Sequence, residues 1–338
     1  MKKHAIIPIF IPHRGCPNHC VFCNQKTITA RQAAVSEQDV VNTIETYLST
    51  LVGKGLDTIE IAFFGGSFTG LTIEEQSFYL RIARQYKDKG IVDKIHLSTR
   101  PDYIDREILN NLKAFSVDVI ELGVQSFDEK VLILSERGHS AKAVYTASQL
   151  IKDYGFELGI QLMIGLPGDS LKTCLYSAKE TAKIRPQIAR LYPTIIIEDT
   201  KLMEMYHSEE YTPLSMDTAV EITKEMYKII TNAGINIIRV GLKSSDLIKD
   251  GAGISGNNFH PAFRQLVEGE IARENIEEII KTIKDFQEIT LIANPKSFSN
   301  LVGNNRANKN YFREKYPHLT ISYKIDPNLA DYEYNVIK

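Results

Sequence analysis

Residues 5–23, AIIPIFIPHRGCPNHCVFC, carry two signals in succession. The first, Ala5–Ile11, is a short apolar run closed by Pro12, which reads as a buried β-strand. The second is Cys16-Pro-Asn-His-Cys20-Val-Phe-Cys23, three thiols in one short loop directly after that strand. The same order, a β-rich run and then an amphipathic helix, repeats along the chain. Strands are expected at Ala5–Ile11, Thr58–Phe64, Lys94–Ser98, Val117–Gly123, Glu157–Ile164 and Ile188–Ile197. Helices are expected at Glu37–Leu51, Ile73–Lys87, Asp105–Lys113, Ala141–Tyr154 and Leu171–Ile184. That alternation is the pattern of parallel β/α units. The expected fold class is therefore α/β: a partial (β/α)6 TIM-like barrel over residues 1–200, with a C-terminal α/β extension over 201–338.

Crossovers in such sheets are right-handed, so the C-terminal ends of all the strands meet at one face. The unusual residues follow strands and so converge there: the cysteine loop, Gly65-Gly66-Ser67-Phe68, Thr99-Arg100-Pro101-Asp102 and Gln125-Ser126. Beyond residue 200 the rhythm changes. A helix is expected at Met216–Ala233, a strand at Ile235–Val240, a glycine-rich stretch at 251–256 and a helix from Pro261 to Lys284. A strand near Ile289–Ala293, a helix near Ala307–Lys315 and a strand near Leu319–Lys324 complete the extension.

Hydrophobic residues make up 43% of the 338 and charged residues 24%, which excludes a disordered or fibrous chain. Pro8 and Pro12 interrupt the N-terminal apolar run and no cleavage site follows, so a strand is expected there rather than a signal peptide. No apolar stretch is long enough to span a bilayer, and a cytoplasmic protein without membrane partners is expected. A net charge of −2 argues against binding nucleic acid by bulk charge. The basic run Lys296, Arg306, Lys309, Arg313, Lys315 and Lys324 leaves a local patch open, although a solvated face is the commoner meaning of such a run.

Four cysteines, three of them in one loop, describe a reduced compartment and a metal site rather than a disulfide framework. Thiolates are soft ligands that suit iron–sulfur clusters, and three can wrap a cubane while leaving one iron for chemistry. Zinc competes, with His13 or His19 as its fourth ligand. The paired glycines Gly65-Gly66 would let the backbone approach a ligand closely. Gln125 at a strand end, before Arg137-Gly138-His139, needs a polar partner, as does Gln161 inside an otherwise apolar strand. Cys174, alone on a helix, reads as a buried structural thiol.

The CxxxCxxC loop after the first strand, with Phe22 just before its last cysteine, resembles the signature of radical S-adenosylmethionine (SAM) enzymes. GVQS at 123–126, RGH at 137–139, GLPG at 165–168, RLYPT at 190–194 and NFHPAFRQLVEGE at 258–270 narrow the likeness. Together they resemble the branch that holds the radical domain of the Elongator catalytic subunit and its stand-alone bacterial relatives. Oxygen-independent coproporphyrinogen III oxidase is a more distant cousin. The resemblance implies a 4Fe–4S cluster on Cys16, Cys20 and Cys23 and Phe22 near the adenine of SAM. It also implies a SAM pocket lined by Gly65, Gly66, Ser67, Ser98, Gln125, Arg137, Gln161 and Arg190. No acetyltransferase-like domain is expected to follow, and the extra zinc-binding cysteines of the Elongator subunit are missing.

The expected function is SAM cleavage to a 5′-deoxyadenosyl radical for modification of RNA, with tRNA as partner and a flavodoxin or ferredoxin as reductant. The alternatives are a radical enzyme on a small molecule such as a tetrapyrrole, and a non-catalytic zinc or RNA-binding module. Arg100, Tyr192 and His260 are further residues for substrate handling, each with a structural reading ahead of it.

Overall fold

The computed structural model describes residues 4–11, 20–23, 35–242, 254–256, 259–282 and 287–337. In chain order the strands are β1 (His4–Ile11), β2 (Thr58–Gly65), β3 (Lys94–Thr99), β4 (Val119–Gln125), β5 (Glu157–Ile164), β6 (Ile188–Pro193), β7 (Ile196–Ile197), β8 (Asn236–Val240), β9 (Ile254–Ser255), β10 (Glu288–Ala293), β11 (Thr320–Ile325) and β12 (Tyr334–Ile337). The described helices, numbered in the same way, are α1 (Glu37–Leu51), α2 (Ile73–Asp88), α3 (Arg106–Ala114), α4 (Glu129–Leu134), α5 (Ala141–Asp153), α6 (Leu171–Ile184), α7 (Lys201–His207), α8 (Met216–Asn232), α9 (Phe263–Lys281), α10 (Phe298–Val302) and α11 (Ala307–Lys315).

Helix starts are written locally. Ser36, Thr72 and Ser170 each accept from the backbone N–H three residues on, and the side chain of that residue returns the bond, forming capping boxes for α1, α2 and α6. In the strands, alternate residues turn outward: Ile7, Ile9 and Ile11 on β1, Ile61 and Phe63 on β2, Ile95 and Leu97 on β3. Ile120, Leu122 and Val124 on β4 and Leu158, Ile160 and Leu162 on β5 continue the series, and all join one buried apolar cluster with the helices. Burying each such side chain contributes about 1.5–3 kcal/mol.

The large sheet is parallel throughout, in the order β1-β2-β3-β4-β5-β6-β8, and curves into a half-barrel. It has seven strands where six were expected. The seventh, β8, arrives after α7 and α8 and pairs with β6, so residue 200, the expected division, falls before the last strand of the sheet. Pro8, which has no N–H to donate, sits on the edge strand β1, where such a residue is tolerated. The expected strand Ile188–Ile197 breaks after Pro193. The Thr194 N–H still donates to the Ile164 carbonyl of β5 at 2.8 Å, and Ile196–Ile197 then pairs separately with β9.

A second sheet, β11-β10-β12, has its own core of Ile289, Leu291, Leu301, Phe312 and Tyr334. Helix α9 serves both units: Phe263 and Val267 join the first cluster, and Ala272, Ile276 and Ile280 join the second. No helix among the described residues is long and apolar enough to cross a membrane.

Candidate functional site

The cysteine loop ends in a tight turn, with the Cys23 N–H donating to the Cys20 carbonyl at 2.9 Å. Val21 pins this turn from both sides. Its N–H donates to the Ser135 carbonyl at 3.1 Å and its carbonyl accepts from Leu202 N–H at 2.7 Å, while its side chain packs with Ile196, Leu202 and Tyr211. Phe22 packs against that cluster. Cys20 is buried and Cys23 half-buried. Cys16, His13 and His19 lie outside the described residues.

Arg137 ties the RGH segment to the thiols. Its Nη1 donates to Cys20 Sγ at 3.3 Å and its Nη2 donates to the Gly123 carbonyl. Beside it, Gln125 takes the left-handed conformation at φ +70°, where β4 slips register against β5. A non-glycine residue held there signals a local constraint. The Oε1 of Gln125 is buried with no hydrogen-bond partner among the described residues. Gly123 makes room for both: a Cβ there would lie 3.0 Å from Arg137 Nη2 and 3.2 Å from Gln125 Nε2. A cation beside a sulfur and an acceptor awaiting a donor are a donor set that suits an anionic thiolate–metal centre carrying an amine-bearing ligand.

Gly65, at φ +119°, ends β2 so close to β1 that a Cβ would collide with the Ile11 carbonyl oxygen, and Gly66 N–H donates to that same oxygen at 3.4 Å. The Ser67 hydroxyl is already engaged. It lies 2.7 Å from the Thr99 hydroxyl and accepts from Arg100 N–H at 3.1 Å, which ties the ends of β2 and β3 together.

Ser98, Gln161 and Arg190 gather around one carboxylate that the sequence reading did not single out. Glu121, fully buried on β4, lies 2.7 Å from Arg190 Nε and accepts from Gln161 Nε2, which also donates to the Ser98 hydroxyl at 3.1 Å. Arg190 Nη1 donates to the Tyr192 hydroxyl at 3.2 Å. The chain of charge continues into the barrel: His96 Nε2 lies 3.6 Å from Glu121, His96 Nδ1 3.2 Å from Glu60, and His4 Nε2 2.9 Å from Glu60.

Burial alone would raise the Glu60 carboxyl, but hydrogen bonds from His4 and His96 hold it down at about 2. Burial would likewise push His96 down, and Glu121 and Glu60 overcome it, so His96 is raised and favours the imidazolium. Glu121 is lowered against its burial by Arg190 and His96. His139 behaves oppositely: burial and the nearby Arg137 charge depress it to about 4, so it stays neutral. The signal for Glu60, His96 and Glu121 was an ionisable residue at an inward position within each strand.

The other expected residues have protein partners. Arg100 makes a two-pronged bond to Asp102, at 2.9 and 2.8 Å, and His260 Nδ1 accepts from Ala262 N–H at 3.1 Å. Cys174 is buried, its thiol pushed up by burial and by Asp169. The basic run is partly neutralised: Lys296 pairs with Asp331 at 2.7 Å, Lys315 with Glu277, and Lys309 sits 5.3 Å over the Tyr323 ring.

A model of the radical SAM superfamily matches residues 10–179, half of the chain, and a model of a radical SAM C-terminal domain matches residues 186–273. The chain belongs to the radical SAM superfamily. This radical SAM protein is similar to the tRNA uridine(34) acetyltransferase of Methanocaldococcus infernus, at 28% identity over 257 residues, 64% of this chain and 48% of that protein. It is 28% identical over 199 residues to human Elongator complex protein 3, 53% of this chain and 36% of that one. The chain thus spans about half the length, or less, of these curated relatives. A solved structure of N-terminally truncated Elp3 from Methanocaldococcus infernus has the same fold, with a TM-score of 0.64 at 22% identity over 81% of this chain and 64% of that one. Radical SAM enzymes use a 4Fe–4S cluster and SAM, which makes this chain an enzyme with those cofactors.

Proposed function

We propose that this radical SAM enzyme modifies RNA, with a tRNA base as substrate, and that Cys16, Cys20 and Cys23 hold its cluster. In this reading Phe22, Gly65, Gly66, Ser67, Ser98, Gln125, Arg137, Gln161 and Arg190 form the wall that holds SAM. The observation that carries it is the buried, unpartnered Oε1 of Gln125 next to an Arg137 that is itself bonded to Cys20 Sγ. A buried acceptor without a partner among the described residues, beside the thiol turn, calls for a ligand.

When bound, the cluster and SAM supply reductive cleavage of the sulfonium to a 5′-deoxyadenosyl radical. The chain's own residues bind and orient. Gln125 offers its acceptor to an ammonium or hydroxyl group. Gly65 keeps the end of β2 free of a side chain, and Glu121 fixes the rotamers of Arg190 and Gln161. The half-barrel wall keeps competing hydrogen donors away from the reacting carbon. The RNA substrate is supported by the name of the relative tRNA uridine(34) acetyltransferase, and the proposal stops at the radical chemistry. A flavodoxin or ferredoxin supplies electrons, and the cytoplasm is the compartment.

The test is anaerobic reconstitution followed by tRNA binding across a salt series. The proposal expects a brown protein with iron and labile sulfide, 5′-deoxyadenosine under a strong reductant, and tRNA affinity that falls as salt rises. A colourless zinc protein overturns the cluster assignment, and an absence of salt-dependent tRNA affinity overturns the RNA reading.

A further inference from the structure

The concave wall of the half-barrel carries an aromatic feature that the SAM-pocket residues do not absorb. On β1 the outward residues Ile7, Ile9 and Ile11 join the helix-facing core, which turns Phe10 toward the concave side. Its side chain is 45% exposed on the strand that leads into the cysteine loop. Phe10 is the register partner of Phe64 on β2, and their ring centroids lie 6.2 Å apart. Phe64 is wedged in turn. The Arg190 guanidinium lies 4.9 Å from its centroid, and the His96 ring meets it edge-on at 5.7 Å. Arg190 is fixed by Glu121 and Tyr192, so Phe64 has a rigid backing and Phe10 presents an open face.

We infer that Phe10, backed by Phe64 and Arg190, is the platform on which a neutral nucleobase of the RNA substrate stacks inside the half-barrel. The inference rests on the RNA reading above and deepens it. Every nucleobase has a π face that an aromatic ring can receive without regard to sequence. The charges beside the Phe64 ring are matched, Arg190 by Glu121 and Glu60 by His4 and His96, while a further cation, Arg239, is the register partner of Arg190 on β8. A neutral planar heterocycle needs no counter-charge beside this ring and gains the stacking face. A base presented this way has to leave its own stack, as bases do for enzymes that perform chemistry on them.

The experiment compares the full-length, reconstituted wild type with Phe10→Ala, Phe10→Leu and Phe10→Trp. It measures the dissociation constant for an unmodified transcribed tRNA, the dissociation constant for SAM, and the thermal midpoint. Leu keeps apolar volume without a π face, and Trp restores the face. Expected are losses of roughly 5- to 150-fold in tRNA affinity for both Phe10→Ala and Phe10→Leu. Phe10→Trp should return to within a few-fold of wild type. Wild-type tRNA affinity in the Leu variant overturns the platform and leaves the RNA reading standing. An equal loss of SAM affinity overturns it too, because it gives the ring to the adenine of SAM. If the wild type itself binds no tRNA, the RNA reading fails and takes the platform with it.

Discussion

Arg137 Nη1 donates to Cys20 Sγ at 3.3 Å, joining the RGH segment after β4 to the thiol loop after β1 across 117 positions of chain. The same guanidinium holds the Gly123 carbonyl, so one side chain sets the thiol turn against the end of β4. With Cys20 as the proposed cluster ligand, Arg137 is its outer partner, and removing such a partner lowers metal affinity by about 10–100-fold. Arg137→Gln should therefore retain less iron than wild type after reconstitution and desalting, measured as iron and labile sulfide per chain. Iron retention equal to wild type would show that the bond does no work for the cluster.

Gly65 stands at φ +119° with no room for a Cβ against the Ile11 carbonyl. Gly65→Ala must strain the backbone or push β1 from β2, at a cost of about 1–3 kcal/mol. Urea unfolding at neutral pH should show the midpoint falling with an unchanged slope.

Glu121 is fully buried and balances Arg190. Breaking one side of such a pair leaves the other charge buried and unmatched, which costs about 3–5 kcal/mol. Glu121→Ala should lower stability by that order, whereas Glu121→Gln keeps the shape and part of the hydrogen bonding and should lose less. Because Glu121 also accepts from Gln161, both variants should weaken SAM binding in equilibrium dialysis.

Acid should act in two windows. His139 has a folded pKa of about 4 against an ordinary 6.5, so its contribution is present above pH 6.5 and lost as pH falls toward 4. Glu60, at about 2 against 4.5, contributes above pH 4.5 and loses that contribution as pH falls toward 2. His96 has the opposite sign: its raised pKa gives stability that fades as pH rises through it. His139→Gln should flatten the decline of the urea midpoint between pH 6.5 and 4, by up to about 3 kcal/mol across the window. A decline as steep as wild type would remove His139 as its source.

The six strands β1–β6 were legible because outward positions are apolar at a period of two and each run ends in glycine, proline or a polar turn. The break after Pro193 was not legible, since Ile195-Ile196-Ile197 prolongs the apolar run and only the separate pairing of Ile196–Ile197 with β9 takes the chain out of the sheet. The place of β8 was hidden because two helices separate it from β6, and a strand's neighbours are chosen by packing over distance rather than by local pattern. Among the proposed binding residues, Gln125 and Arg137 announced themselves as polar residues beside glycines. Ser67 did so too, but its hydroxyl turned out to be engaged with Thr99 and Arg100.

By itself the sequence determined the chemistry on offer: three thiols at the spacing of a cluster loop, glycines where backbones crowd, and an alternation that admits only a parallel α/β sheet. Those are local properties, set by side-chain chemistry and by allowed backbone angles. Only the tertiary structure decided that Glu60, His96 and Glu121, one on each of three adjacent strands, form a single chain of charge, and that Phe10 faces an open concave wall. Strand register and sheet curvature set those neighbours, and both follow from burying the outward faces of all the strands at once.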